Sequence, residues 1–328
     1  MAPNKKQHYV PQMLQSFFSL DSKTIGCYHI ESDRCFQSRI SNTAQKNYFY
    51  QKDDTDKTSI EHDFGKIEGI IKPILNRLQK KEFNLNVEEV EAIFLFVVAQ
   101  LMRTPKAAGA MGSVLEFCIQ KGIKKVCEEV ESGLRKKSNL PMQASMTILR
   151  IAELLSGKGY LFINNDTEVK FLLSDNPAIL FSPVTEIADE KKITDILFMQ
   201  APFSGYMLYM PLGPSVGILF FDDDYYEFKQ RICIDVTEAD VKMLNSLEVI
   251  NAGNIIMYQE GSFTPDGIKK AIEERNSEKS HQYQDKIYTP LNNSFSLSGL
   301  NLDENVLIYK INRFAMEKAF NWSAREWM

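Results

Sequence analysis

The sequence predicts an α+β fold, in which a mainly helical N-terminal half is built around a buried central helix and packs on an antiparallel sheet. Apolar residues recur with helical spacing from residue 59 to about 157, and a continuous apolar run, residues 92–99, lies in that part. From residue 159 the apolar residues come in short, strand-length runs separated by turn residues. We therefore expect a helical layer at about 59–157 and a sheet at about 159–235.

One domain, residues 1–260, is expected to hold these elements together with a helix at about 237–258. Thr237 is expected to cap that helix, with Asp240 at its third position. The chain after residue 261 is polar and low in core residues up to about Gly299. Residues 261–328 are therefore predicted to form a polar, partly mobile C-terminal extension.

The central helix is predicted to lie between Val87 and Pro105. Its apolar residues cover every side from Ile93 onward, which is typical of a buried helix. The apolar run is far shorter than the ~20 residues that a membrane span needs. Asn86 is expected to cap its N-terminus, where glutamates also suit the helix dipole. Pro105 is expected to end it, because the residue before a proline disfavours helical backbone.

Three pairs of apolar runs are predicted as β-hairpins, because each pair flanks a polar turn. The pairs are residues 24–30 with 35–40, 160–164 with 170–174, and 206–211 with 216–221. Asn164, Asn165 and Asp166 supply the turn of the second pair, since Asx side chains bond their own backbone. The second and third pairs are expected to share one antiparallel sheet. Further helices are predicted at 112–133 and from Pro141 onward.

Composition and missing motifs narrow the functional classes. The net charge of −5 and the pI near 5.6 argue against a broad nucleic-acid-binding face, although a local basic groove stays open. The start of the chain lacks the apolar core of a signal peptide, and no later stretch is long enough to span a membrane. Gly-rich phosphate loops, GxSxG and HExxH are absent. The three aspartates at 222–224 are interpreted as a solvated loop and not as a metal site.

The cysteines indicate a reducing compartment. Five of them are scattered along the chain and form neither a CxxC nor a zinc-binding pattern. An odd number of scattered cysteines predicts reduced thiols in a cytoplasmic protein. Cys27 and Cys35 could face each other across the first hairpin, without any need for a disulfide.

Three short polar clusters are unusual for residues that only pack. The first is His8 to Gln12, the second is Gln100 with Arg103 to Pro105, and the third is Ser174 to Pro177 at the end of an apolar strand. Strand ends and loops held by a scaffold are places where binding and catalytic residues collect. The clusters are therefore the candidate functional residues of this chain.

Each candidate also has a structural interpretation. Arg103 either caps its helix or pairs with a core carboxylate, or else it points into a cleft and holds an anionic group with its planar fork. Asp175 and Asn176 are turn residues in the first place. His8 can be a structural histidine whose ring bonds a carbonyl. Glu61 can simply stabilise the N-terminus of its helix.

Together the clusters resemble a large bacterial family of unknown function whose members open with a His-Tyr-Val-Pro-Gln motif, here residues 8–12. The resemblance also takes in Ser59-Ile60-Glu61, the Arg-Thr-Pro helix end at 103–105, the Ser-Asp-Asn-Pro turn at 174–177 and Asn245. It covers about residues 5–260. Met13-Leu14 departs mildly from the aromatic or leucine pair that is usual after the first motif. The family implies a fold-level grouping and no assigned reaction.

The residue types of the clusters are those of an acid–base site beside an anion clamp. We expect three catalytic residues, His8, Glu61 and Asp175, and four ligand-binding residues, Gln12, Gln100, Arg103 and Asn176. If these side chains converge, they suit hydrolysis of phosphodiester or phosphoryl bonds in a nucleic acid or a nucleotide. The carboxylates and amides could instead hold Mg²⁺, so the cofactor is left open. No set of metal ligands is assigned.

Two other functions stay open beside the hydrolase. One is a non-catalytic module that binds a small anionic ligand or a protein partner. In the other, the clusters form a buried polar network that only fixes the fold. A toxin-like or phage-defence context for the hydrolase is an expectation from the family and not from the residues. His8, Arg103 and Asp175 lining one cleft would favour the hydrolase.

Overall fold

The structure is a computed structural model, and it describes residues 6–50, 60–109, 141, 144–145, 147–155, 159–181, 206–223, 232–273 and 276. The α+β class is confirmed, because helices and β-sheets share one continuous apolar core. Three predictions lie outside the described residues: the helix at 112–133, Asp224, and most of the C-terminal extension.

The described helices and strands are short, apart from two long helices in the N-terminal half. The helices are α1 (Gln12–Phe17), α2 (Ile60–Gln79), α3 (Val87–Met102), α4 (Ile148–Leu155) and α5 (Glu238–Asn251). The strands are β1 (Lys6–His8), β2 (Thr24–His29), β3 (Arg34–Arg39), β4 (Gln45–Asn47), β5 (Gly159–Asn164), β6 (Leu173–Ser174), β7 (Ile179–Phe181), β8 (Met207–Gly213), β9 (Val216–Phe221), β10 (Cys233–Asp235) and β11 (Ile255–Tyr258). Short 3₁₀ helices occupy Ile40–Asn42 and Pro265–Ile268.

The described strands form three sheets. For the strands of the C-terminal half, one antiparallel sheet was predicted. β1 pairs with β4, and β3, β2, β11 and β6 form an antiparallel sheet in that order. β10, β5, β9, β8 and β7 form the third sheet, in which β10 runs parallel to β5 and the other neighbours are antiparallel. The strands of the C-terminal half thus pair in two different sheets.

The central helix is α3, and its N-terminal cap is confirmed. The Asn86 side chain accepts the backbone N–H of Glu89, and the Glu89 carboxylate accepts that of Asn86. The helix packs against α2 and α4 and buries its middle and C-terminal part. It is not buried on every side, because Phe94 and Leu95 are only partly covered and Val87 is largely exposed.

The end of α3 differs from the expectation in one respect. The helix ends at Met102 as the rule for residues before proline requires, but helical backbone resumes at 105–109. Thr104 caps this second segment, since its hydroxyl accepts the backbone N–H of Ala107. Pro105 therefore also opens a helical segment, a position where its fixed φ and missing N–H are favourable.

Two of the three predicted hairpins are confirmed, namely β2 with β3 and β8 with β9. The register of the first pairs Cys27 with Phe36 and Tyr28 with Cys35. Because neighbouring residues of a strand point to opposite faces, Cys27 and Cys35 lie on opposite faces of this hairpin, and Cys27 is buried while Cys35 is exposed. The expectation that the two cysteines could face each other is therefore wrong, and both are free thiols.

The predicted hairpin of residues 160–164 with 170–174 is wrong. β5 and β6 lie in different sheets, although Asn165 does form the expected turn by accepting the backbone N–H of Thr167. The side chain of Asn245 on α5 accepts the N–H of Leu172 and donates to the carbonyl of Lys170. These backbone groups are thus satisfied by a helix side chain, so the segment has no need to pair with β5.

The helix predicted for 237–258 is shorter. Its N-terminal capping box between Thr237 and Asp240 is confirmed, but it ends at Asn251 and the chain continues as β11. The carboxylate of Asp175 accepts the backbone N–H groups of Gly253, Asn254 and Ile255, which turns the chain away from the helix axis.

Two further predictions, on the three aspartates and on membrane spans, can be compared with the structure. Asp222 is buried and its backbone N–H bonds the carbonyl of Tyr206, so the solvated loop expected at 222–224 does not hold for that residue, while Asp223 is exposed. Across the described ranges, none of the helices is long and apolar enough to cross a membrane.

Candidate functional site

The three polar clusters meet at the C-terminal end of α3. Arg103, the residue that ends the helix, donates from Nη2 to the backbone carbonyl of His8. The next residue, Thr104, donates from Oγ1 to Oδ1 of Asn176. Three segments that are far apart in sequence are therefore joined through two adjacent residues of one helix end, although the contact with the first segment is to the backbone of His8 and not to its ring.

Arg103 is an internal, paired cation. It is 2% exposed, and Nη1 lies 2.8 Å from Oε1 of Glu68 on α2. Its Nε donates to the hydroxyl of Tyr50 at 3.3 Å, and that hydroxyl donates to the Arg103 carbonyl at 2.7 Å. The guanidinium also lies 4.1 Å from the ring centre of Phe64. Of the two interpretations of Arg103, pairing with a carboxylate is the one that the geometry fits.

Electrostatics keep this guanidinium charged. Burial lowers the pKa of Arg103, but Tyr50 and Glu68 raise it by more, so the net shift is upward. Burial in turn raises the pKa of Tyr50 to about 12, although Arg103 acts in the opposite direction. The cation therefore sits between a neutral phenol and a carboxylate that was not singled out in the sequence. Glu68 lies seven residues after Glu61, a spacing that puts both on one face of α2.

His8 lies at the end of β1 with most of its ring covered. Its Nδ1 is 3.4 Å from the side-chain nitrogen of Gln12, which is too long for a strong hydrogen bond. Its Nε2 is buried and makes no hydrogen bond of good geometry with any described residue. Burial lowers the pKa of His8; the backbone oxygens of Ser41 and Ile40 raise it by less, and the charge of Arg103 lowers it further. The imidazole is consequently neutral at pH 7.

Glu61 lies in the first turn of α2 and is partly exposed. Its Oε2 is buried and has no hydrogen-bonding partner among the described residues. Burial raises the pKa of Glu61; Arg103 lowers it, Glu68 raises it, and the net shift is upward. Glu61 thus holds its proton to a higher pH than an exposed glutamate does.

Asp175 is placed near the first cluster but is bonded to the backbone. Its carboxylate lies 2.6 Å from the amide nitrogen of Gly253, 2.9 Å from that of Asn254 and 3.3 Å from that of Ile255. Burial raises the pKa of Tyr9, and the negative charge of Asp175 adds to that shift. Three N–H groups thus hold this carboxylate against the backbone of 253–255.

A polar seam, defined as Thr104, Lys106, Asn176 and Asn251, runs from Asp175 to α5. The Asn251 side chain donates to the carbonyl of Asn176 at 2.6 Å, and Lys106 Nζ donates to Asn251 Oδ1 at 2.8 Å. The amide of Asn176 is turned to Thr104 and to the carbonyl of Asn251. The side chain of Asn176 therefore bonds groups inside the protein. Neither Lys106 nor Asn251 was predicted from the sequence as part of this site.

The two candidate glutamines differ in their surroundings. Gln12 is exposed beside the His8 ring. Gln100 is fully buried, one helical turn before Arg103, and neither of its side-chain polar atoms has a hydrogen-bonding partner among the residues that the structure describes. A ligand could reach Gln12 from solvent, whereas Gln100 is enclosed.

Glu248, like Glu68, was not predicted from the sequence. Glu248 on α5 is fully buried; Oε2 accepts the backbone N–H of Ser174 at 2.9 Å, and Oε1 has no partner within the described ranges. Burial raises the pKa of Glu248 well above its usual value. The hydrogen bonds from Ser174 lower this pKa, and the negative charge of Asp175 raises it further. Its only sequence signal is a charged residue amid the apolar positions of α5.

Arg103 therefore bonds the backbone of His8, and its charge acts on both His8 and Glu61, while Thr104 bonds Asn176 beside Asp175. Within the part of the chain that is described, no three His, Cys, Asp or Glu side chains are grouped so as to hold a metal ion.

Comparison with known proteins gives a family and no activity. The model of the family described as protein of unknown function (DUF4238) matches residues 6–262. This range agrees with the span of about 5–260 over which the sequence resembles a family of unknown function. No curated protein and no solved structure matches the chain.

Proposed function

Because the chain belongs to the DUF4238 family, whose function is unknown, we propose a function from its own geometry. The proposal is hydrolysis of a phosphodiester or phosphoryl bond in a nucleic acid or a nucleotide, with His8 as general base and Glu61 as general acid. The supporting observation is that two titratable groups, both influenced by the buried Arg103, each hold a buried atom that makes no hydrogen bond of good geometry with the described residues. Such orphaned atoms and shifted pKa values concentrate at functional sites.

The protonation states suit these two roles. Neutral His8 takes a proton from water as the water oxygen forms its bond to phosphorus. The carboxyl of Glu61, whose pKa is raised, gives its proton to the leaving oxygen as the second phosphorus–oxygen bond breaks. For Nε2 to accept a proton, Nδ1 must carry the ring hydrogen. The Gln12 amide, whose nitrogen faces Nδ1 at 3.4 Å in the structure, must then be turned over so that its oxygen accepts that hydrogen.

The other candidates are assigned supporting roles. The fixed positive charge of Arg103 acts on both groups, and acting as an anion clamp would require it to release Glu68. Asp175 and Asn176 hold the third cluster in place through the backbone bonds of 253–255 and through Thr104. We therefore treat these three as positioning residues and keep Gln12 as the candidate for ligand contact.

The experiment is an incubation of the protein with RNA, DNA and nucleotides, with and without Mg²⁺. Cleavage should fall ~10²- to 10⁴-fold in His8→Ala and in Glu61→Gln, which is the usual contribution of general acid–base catalysis. His62→Ala and Glu31→Gln are the matched controls, because both residues are exposed. Cleavage that both site variants retain, or no turnover of any substrate, would reject the proposal.

A non-catalytic binding module is the second candidate, and one observation favours it. Arg103, Asp175 and Asn176 bond internal partners, so three of the seven candidate residues already have structural roles. For a binding module we expect that a small anion or a protein partner binds and is not turned over. His8→Ala should then change the affinity for that ligand, and there is no reaction rate for it to change. A toxin-like or phage-defence role stays a prediction under either candidate.

A further inference from the structure

The strand β3 (Arg34–Arg39) forms an open edge of its four-stranded sheet. It pairs with β2 on one side and is the last strand in the order β3, β2, β11, β6. Ser38 is half-buried and every other residue of the strand is exposed, so both faces of β3 are largely open to solvent. An uncovered edge strand presents unpaired backbone groups, and another chain can pair with them.

The unpaired groups of this edge belong to Cys35 and Gln37. Just beyond the two strands, the backbone N–H of Ile40 donates to the carbonyl of Lys23, in the same register as the β2–β3 pairs. Hydrogen-bonded and non-hydrogen-bonded pairs alternate along an antiparallel ladder, so the N–H and C=O groups of Cys35 and Gln37 point away from β2. Within the described ranges, these groups bond no other residue.

Nothing in the middle of β3 hinders the approach of another strand. Natural edge strands are protected by prolines, bulges or charges. β3 contains no proline, its register with β2 has no shift, and none of its residues has a positive φ. Its charged residues, Arg34 and Arg39, lie at the two ends, and Phe36 in the middle is 42% exposed.

A second copy of the chain fits this edge. When two copies of β3 pair antiparallel about a twofold axis at Phe36, Cys35 lies opposite the partner's Gln37, and the outward N–H and C=O groups of both residues are paired. Phe36 then lies opposite the partner's Phe36 in a non-hydrogen-bonded pair, where facing side chains are closest. Aromatic cross-strand pairs stabilise a sheet.

The same register brings opposite charges together at both ends of the pair. Arg39 falls opposite the partner's Asp33, because both positions are three residues from the axis. Among the described residues, Arg39 has no carboxylate within salt-bridge distance. Asp33 accepts the hydroxyl of Tyr28 with Oδ1 at 2.7 Å, and its charge raises the pKa of Lys269. A carboxylate accepts several hydrogen bonds, so Asp33 has the capacity for an arginine as well.

The charges and the aromatic ring select this register over the neighbouring one. A twofold axis at Gln37 would also pair outward backbone groups. It would place Phe36 opposite the partner's Ser38, and it would form neither the aromatic pair nor the pair of opposite charges. The register centred on Phe36 is therefore the more stable of the two.

We propose that the protein forms a homodimer in which two copies of β3 pair antiparallel about Phe36 and join their sheets into one. An edge of this length buries a small area, so the dimer dissociates on dilution. β3 runs directly into Ile40–Asn42, and the backbone oxygens of Ile40 and Ser41 raise the pKa of His8, so the interface is next to the candidate site along the chain. The dimer does not depend on the hydrolytic function proposed above.

Sedimentation velocity of the full chain over a dilution series is the first measurement. We expect a reversible equilibrium between monomer and dimer. Phe36→Asp should weaken the dimer about 10-fold or more, because it replaces the aromatic pair by like charges directly opposite each other. Arg39→Glu should weaken it about 2- to 5-fold, the size of an exposed ion pair. Ile70→Asp is the control, since Ile70 is 60% exposed on α2, and it should leave the dimer unchanged.

Cross-linking tests the register and does not depend on the stability of these variants. Phe36→Cys and Ser38→Cys are each made together with Cys35→Ser, which removes the exposed natural thiol. In the proposed dimer the Cα atoms at position 36 are about 4.5 Å apart, within the range of a disulfide. The positions 38 are offset by ~13 Å along the strand, which is too far.

Mild oxidation should therefore give a disulfide-linked dimer of the variant with cysteine at position 36 and not of the variant with cysteine at position 38. That result, together with a dimer that Phe36→Asp weakens and Ile70→Asp does not, would support the proposal. A chain that stays monomeric at every concentration, or a dimer that Phe36→Asp leaves intact, would overturn it. No cross-link at position 36, or equal cross-linking at both positions, would also overturn it.

Discussion

Arg103 donates a hydrogen bond from its guanidinium to the backbone carbonyl of His8, and so ties the end of α3 to the end of β1. The same guanidinium is paired with Glu68 and lies over the ring of Phe64. One side chain thereby fixes the backbone of His8 relative to α2, where Glu61 lies. The structural and the functional interpretations of Arg103 are compatible, because a residue that fixes the fold here also fixes the candidate acid–base groups.

Arg103→Met should destabilise the protein by about 3 kcal/mol. Removing one partner of a buried ion pair leaves the other without compensation, and the carbonyl of His8 loses its donor as well. Urea denaturation measures the change in free energy of unfolding. Arg77→Met is the control, since Arg77 is a partly exposed arginine paired with Glu89, and it should cost about 1 kcal/mol or less. Equal costs for the two would contradict a buried structural role for Arg103.

Glu61→Gln and Glu68→Gln should change stability in opposite directions at pH 8. The pKa of Glu61 is raised, so the stability it contributes is present below its ordinary pKa of 4.5 and is lost as the pH rises through the raised value. A neutral glutamine avoids that loss and should leave the melting temperature equal or higher. Glu68→Gln breaks the pair with Arg103 and should lower it. Thermal melts at pH 5 and pH 8 measure both effects. A lower melting temperature for Glu61→Gln than for the wild type at pH 8 would contradict the raised pKa of Glu61.

Asn245→Leu should cost about 2–4 kcal/mol. Its side chain bonds the N–H of Leu172 and the carbonyl of Lys170, and the substitution leaves both backbone groups buried without a partner. Ser246→Ala, the next position of α5, removes an exposed hydroxyl that bonds its own helix and should cost little. Chemical denaturation of the two variants side by side measures the difference. A cost for Asn245→Leu no larger than that of the control would show that the segment finds other partners.

Glu248 offers a test of a buried, protonated carboxyl. Because burial raises its pKa, its contribution to stability is present at low pH and is lost as the pH rises through the raised pKa. Glu248→Gln should therefore match the wild type at pH 5 and exceed it in unfolding free energy at pH 8. Glu248→Leu leaves the N–H of Ser174 without its acceptor and should cost ~1–3 kcal/mol at both pH values. A loss in Glu248→Gln that grows with pH would indicate an ionised carboxylate.

Features set by neighbouring residues were predictable from the sequence. The caps at Asn86 and Thr237 depend on a side chain and a backbone group three residues away, so the sequence alone predicts them. The turn at Asn165 is local in the same way and forms as expected. The fold class follows from periodicity, which is also a local property.

Features set by distant partners were not predictable. The hairpin of residues 160–174 fails because Asn245, more than 70 residues away, satisfies its second segment. The helix from Thr237 ends early because Asp175 captures the N–H groups that follow it. Polar clusters with family motifs identified His8 and Arg103, but Glu68 and Glu248 stand outside any motif. Their importance comes from burial, which a single sequence does not give.

The pH dependence of hydrolysis tests the assignment of His8 as general base and Glu61 as general acid. The pKa of His8 is lowered from 6.5 and that of Glu61 is raised from 4.5. Activity needs His8 unprotonated and Glu61 protonated, so we expect a bell-shaped rate profile whose acidic limb follows His8 and whose alkaline limb follows Glu61. His8→Ala should remove the acidic limb and Glu61→Gln the alkaline limb from the residual activity. A profile that rises steadily into alkaline pH and keeps its shape in both variants would contradict the assignment.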